Sequence, residues 1–128
     1  MVIADTSVWI EFFNRPQSVE KRNLDLLIDG DEVALIGVVL AELLQGCRAA
    51  KDRHEVTEAM LALPYIELTQ TTWIRTGDLS SDLLRRGLTV PIPDLIIAAV
   101  ALEHDCQVYS RDRHFQHIPR LRFYSSEK

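Results

Sequence analysis

Short apolar, β-branched runs alternate with longer segments of helical periodicity from one end of the chain to the other, and that alternation restricts the fold more than any other feature. Strand-like runs fall at residues 2–4, 32–36, 65–68, 107–110 and 121–124. Between them lie helical segments: 8–13, ended by residues 14–16; 20–29, with Leu24, Leu27 and Ile28 on one face and Gly30 as the stop; and 38 to about 50. A second group follows at 51–63, stopped by Pro64, at 69–86, ended by Gly87, and at 95–102, apolar on every side and so expected in the interior. Strands that alternate with helices predict an α/β fold with a parallel sheet covered on both faces.

The first run, Val2-Ile3-Ala4, ends abruptly in Asp5, which places a carboxylate at the carboxyl end of a buried strand, where open parallel sheets carry their ligand sites. Asp5 can equally be a helix N-cap, but Thr6 and Ser7 cap as well, and the expectation is that they leave Asp5 free. Three more acids stand at element edges. Glu42 is the one charge in Val38-Val39-Leu40-Ala41-Glu42-Leu43-Leu44, Asp94 follows Pro91-Ile92-Pro93 at the head of the apolar helix, and Asp112 follows the strand at 107–110. Each has an ordinary alternative: a solvated helix residue, a first-turn acid favoured by the helix dipole, and a surface ion pair with a neighbouring arginine. In a parallel sheet, however, the ends of adjacent strands would set Asp112 beside Asp5. Carboxylates gathered from distant segments bind hard divalent cations such as Mg²⁺ or Mn²⁺, and such ions serve phosphoryl chemistry.

With 128 residues, the chain is read as one domain, 1–128, long enough to bury a core without disulfide or metal staples. Cys47 and Cys106 have no CxxC spacing and are expected to be buried free thiols. The N-terminus lacks a charged and cleavable leader, and no run approaches the roughly 20 apolar residues of a membrane span, so the expectation is a cytoplasmic protein without membrane contact. A net charge of −5 runs against a polyanionic partner, although a catalytic acid cluster accounts for several of those negatives. Arg111, Arg113, Arg120 and Arg122, with His114 and His117, make the last stretch locally basic and able to touch phosphate. No HxxxH or HxH spacing marks a zinc site, and the P-loop, dinucleotide and GxSxG signatures are absent.

Four stretches together carry a family resemblance: Val-Ile-Ala-Asp5-Thr-Ser-Val-Trp-Ile, Leu-Ala-Glu42-Leu-Leu-Gln-Gly, Ile-Pro-Asp94-Leu-Ile-Ile-Ala-Ala-Val-Ala and Ser-Arg-Asp112-Arg-His-Phe. In order and spacing they resemble the four motifs of PIN-domain ribonucleases, and in length and wording the VapC-type toxins of bacterial toxin–antitoxin pairs. The resemblance implies a PIN-like three-layer α/β/α fold, with a five-stranded parallel sheet in the order 3-2-1-4-5. It implies that Asp5, Glu42, Asp94 and Asp112 are the catalytic, metal-binding acids, with the hydroxyls of Ser110 and Thr6 supporting them. Mg²⁺ is the implied cofactor, with Mn²⁺ using the same ligands. RNA is the implied substrate, cut by metal-activated water to leave 5′-phosphate and 3′-hydroxyl ends. A VapB-type antitoxin that wraps the toxin and a homodimer are the implied partners. Trp9, Phe12 and Phe13 offer an apolar groove for that antitoxin, unless they are core.

Two other classes compete. A non-catalytic PIN-fold module would hold RNA or a partner without cutting, yet four mutually repelling acids would serve no purpose there. An aspartate-based phosphotransfer protein would also place an acid after its first strand, but needs an acid pair or Asp-x-Asp, and here Ser7 stands two residues after Asp5.

Overall fold

The computed structural model describes residues 1–126. Four strands form one parallel sheet: β1 (Val2–Ala4), β2 (Val33–Ala34), β3 (Gln107–Tyr109) and β4 (Arg122–Phe123), in the order β2-β1-β3-β4. Six helices connect them: α1 (Thr6–Asn14), α2 (Val19–Asp29), α3 (Gly37–Gln45), α4 (Ala50–Leu61), α5 (Gln70–Arg85) and α6 (Ile92–His104), and a 3-10 turn covers Arg113–His117. Successive residues of a strand face opposite sides of its sheet, yet Val2, Ile3 and Ala4 are all buried. Both faces of β1 are therefore covered, as a parallel sheet with helical layers requires.

The expected fifth strand is where the fold departs from the sequence reading. Residues 65–68 do not form a strand; one bridge, Leu35 to Tyr65, marks the place, on the free edge of β2. Leu35 donates its N–H to Pro64 and accepts from Ile66. Pairing stops there because Ile36, the next residue, already caps α3. The remaining order, with this bridge outside β2, agrees with the sequence expectation for an α/β PIN-like sheet.

Helix ends follow local chemistry. Gly46 ends α3 after Gln45, several residues before the expected end near residue 50. Ser18 caps α2, and Thr69 and Thr72 form a reciprocal capping box on α5. Gly87, at a φ of +76°, turns the chain out of α5 in a conformation that glycine adopts without steric cost. Pro91 precedes the first turn of α6, and Leu95 through Ala101 are all buried, which places this helix in the interior as expected.

Trp9 is 1% exposed and stacks edge-on against Phe12, so it belongs to the core rather than to a groove. Phe12 and Phe13 are only partly buried. Phe13 lines a cleft of about 180 Å³ with Ile10, Leu43, Cys47, Val56 and Glu42, between α1, α3 and α4. Cys106 is a buried free thiol, while Cys47 is only half-buried in that cleft. No helix among the described residues is long and apolar enough to cross a membrane.

Candidate metal centre

The parallel register of β1 and β3 builds the centre of the site. Val2, Ile3 and Ala4 face Gln107, Val108 and Tyr109, so the next residues out, Asp5 and Ser110, emerge side by side at the carboxyl end of the sheet. The Asp5 N–H donates to the Tyr109 carbonyl at 2.9 Å, which extends the ladder to the acid itself. Asp5 is 4% exposed. Its carboxylate accepts from Ser7 Oγ at 2.6 Å and from the backbone N–H of Val8 at 3.3 Å, and a short hydrogen bond from Ser110 holds the other oxygen. Asp5 is thus itself the N-cap of α1, contrary to the expectation that Thr6 or Ser7 would take that place. A carboxylate in that position stays available through Oδ2, which accepts only the Ser110 bond and keeps a second lone pair, whereas Oδ1 accepts from both Ser7 and Val8.

Thr6 serves another acid: its hydroxyl donates to Glu42 Oε1 at 2.6 Å and so ties α3 to the start of α1. Asp94 stands in the first turn of α6, where the helix dipole favours an anion. Asp112 caps the 3-10 turn by accepting from the His114 N–H at 2.9 Å, and its own N–H donates to Ser110 Oγ at 2.8 Å. Among the described residues it forms no ion pair with an arginine. Arg111 reaches instead to Glu11 and Glu20 on α1 and α2, and Arg122 to Asp105, so much of the expected basic patch is neutralised.

Asp5, Thr6, Ser7, Glu42, Asp94 and Asp112 line one open cleft of about 250 Å³, together with Ile10 and Ile97. All four sequence-nominated acids reach it, from four separate segments. Burial pushes the carboxyl of Asp5 above its ordinary range, against the hydrogen bonds from Ser110, Ser7 and Val8, and the charge of Asp112 adds to the rise. Burial also raises Asp94, opposed by its hydrogen bond to His114 and reinforced by the charges of Asp112 and Asp5. Such a set of oxygen donors, confined and mutually repelling, fits a hard divalent cation, which would relieve the repulsion.

One residue entered the site without having been placed there from sequence. His114 Nδ1 lies 3.1 Å from Asp94 Oδ2 and 3.1 Å from Asp112 Oδ1. Its signal was its position two residues after Asp112 and just before a buried aromatic, Phe115, but the local excess of arginines drew it toward a phosphate-contact role.

Comparison with known proteins agrees with this architecture. The PIN domain family matches residues 2–121. The chain is 32% identical to ribonuclease VapC21 of Mycobacterium tuberculosis over 104 residues, covering 79% of this chain and 75% of that protein. It is 25% identical to ribonuclease VapC2 of Rickettsia felis over 122 residues, 91% of either chain. Its fold is similar to that in the crystal structure of VapBC2 from Rickettsia felis bound to a DNA fragment from their promoter, with a TM-score of 0.83 at 23% identity over 99% of this chain and 100% of that one. With these matches beside the sheet order and the acid cleft, the chain belongs to the PIN domain family.

Proposed function

We propose that this protein is a divalent-metal-dependent endoribonuclease and the toxin of a VapBC-type toxin–antitoxin pair, acting through Asp5, Glu42, Asp94 and Asp112. The observation that carries this is the gathering of four acids from four separate segments in one cleft at the carboxyl end of the sheet. Relatives named as VapC ribonucleases support it.

Asp5, Asp94 and Asp112 would hold the Mg²⁺ or Mn²⁺ ion, with Glu42 at the side of the cleft. When bound, the ion supplies a nucleophilic water at neutral pH and charge neutralisation for the phosphate. The chain's own residues position these groups. Ser110 and Ser7 fix the Asp5 carboxylate from two sides, so the remaining lone pair of Oδ2 keeps one direction. Thr6 fixes the direction of the Glu42 carboxylate, which lines the same cleft and would help hold a second ion near the leaving oxygen. The cleft is open, as a polymer substrate requires. Catalysis of this kind rests on position and charge, and no side chain acts as a covalent nucleophile.

The cleft beside Phe13 and Cys47 opens next to Glu42, and we assign it to the antitoxin. A segment lying there would reach the acids with a basic residue at its tip. A homodimer and a location in the cytoplasm complete the proposal.

The test is cleavage of total RNA in the presence of Mn²⁺. Wild-type protein cuts, a chelator abolishes cutting, and Asp94→Asn, folded by circular dichroism, is reduced by about a hundredfold or more. RNA bound but left intact by wild type under these conditions would favour the binding-module alternative.

A further inference from the structure

His114 hydrogen-bonds Asp94, and its Nδ1 lies between two of the site's carboxylates. Its Nδ1, Asp94 and Asp112 each offer one atom within 4.8 Å of the others, the one such group of three found among the described residues. Asp5 lies outside this tighter trio. In a six-coordinate ion with bonds of about 2.1 Å, adjacent ligands stand about 3 Å apart. The two separations of 3.1 Å from Nδ1 to the carboxylate oxygens match two edges of that octahedron.

The ring is also placed by its backbone. Asp112 accepts the His114 N–H, and the next residue, Phe115, is fully buried, so the turn that carries His114 is anchored on both sides. The side chain itself is 46% exposed and needs no role in the core. Without an ion Nδ1 shares a hydrogen bond with Asp94; with an ion bound the ring proton would sit on Nε2, and the Nδ1 lone pair would point into the space between the two carboxylates.

Building on the metal-site assignment above, we propose that His114 is a ligand of that ion through Nδ1, and that it makes the site select Mn²⁺ over Mg²⁺. Mg²⁺ dehydrates reluctantly and prefers oxygen, so an imidazole adds little to its binding. Mn²⁺, a first-row transition ion and softer than Mg²⁺, gains more from a nitrogen donor beside carboxylate oxygen, so an added imidazole separates two ions that an all-oxygen site binds alike.

The test uses the metal alone. In pulsed electron paramagnetic resonance of the Mn²⁺-loaded protein, a ¹⁴N coupling from a directly bound nitrogen is expected in the wild type and absent in His114→Ala. The preference for Mn²⁺ over Mg²⁺, read by competition, is expected to fall by about tenfold or more, the scale of loss that follows even an outer-sphere change at a metal site. Bound Mn²⁺ without nitrogen coupling in the wild type, or coupling unchanged in His114→Ala, overturns the ligand role and leaves the acid site standing. Failure of Mn²⁺ to bind the wild type, or unimpaired binding by Asp94→Asn, overturns the metal site itself.

Discussion

At the scale of single residues, Asp5 does two jobs that pull in opposite directions. As the N-cap of α1 it helps start the helix, while as a buried acid among acids it is costly to ionise. Because its carboxyl is raised, the folded protein holds that proton more tightly than the unfolded chain. The stability it lends is complete below the ordinary carboxylate range and is lost as pH rises through the raised folded value. Asp5→Asn keeps the capping oxygen and removes the charge. In chelator, the variant is expected to melt above the wild type at neutral pH, with the advantage shrinking to nothing in acid; thermal melts across a pH series check this. A wild type more stable than the variant at neutral pH would contradict it.

At the scale of elements, α6 carries the site. It brings Asp94 to the cleft at its head, while Leu95, Ile96, Ile97, Ala98, Ala99, Val100 and Ala101 lock it into the core. Thr72 on α5 and Arg75 both hold Glu103 near its far end, at 2.7 Å and 3.5 Å. Leu95 is 0% exposed and adjoins Asp94, so Leu95→Ala is expected to cost about 2–5 kcal/mol of stability by leaving a cavity. Denaturant unfolding measures this, and a loss under about 1 kcal/mol would mean that the helix head collapses to fill the space. The same elements separate what could be read from sequence from what could not. The apolar run of α6 and the β-branched residues of β1 announce themselves by composition and period, so both were legible. The strand expected at 65–68 has suitable residues too, but its pairing depends on how far β2 runs before α3 begins, which no local pattern encodes. The early end of α3 at Gly46 was hidden for a similar reason, since the stripe of apolar residues continued past it to Cys47.

At the scale of the whole molecule, function arises where the chain order and the sheet order differ. Asp5 and Ser110 are 105 positions apart in sequence and become neighbours because β1 pairs with β3. Their adjacency was inferable from strand alternation and parallel pairing. The detailed hydrogen bonding was not: that Asp5 would itself take the cap, or that His114 would reach Asp94 and Asp112 from a 3-10 turn, depends on short irregular segments with no periodicity to read. Trp9 shows a choice that sequence left open, between a partner groove and the core, and that burial decides for the core.

Side chains that operate as one unit lose their effect together, so removing a second adds little once the first is gone. The decisive measurement is therefore Mn²⁺-dependent RNA cleavage by Asp5→Asn, Asp94→Asn and the double variant, each verified as folded. The predicted result is that either single change removes nearly all cleavage and that the double variant is no worse than the singles. A folded single variant that cuts at the wild-type rate, or losses that multiply in the double variant, would contradict a shared ion site.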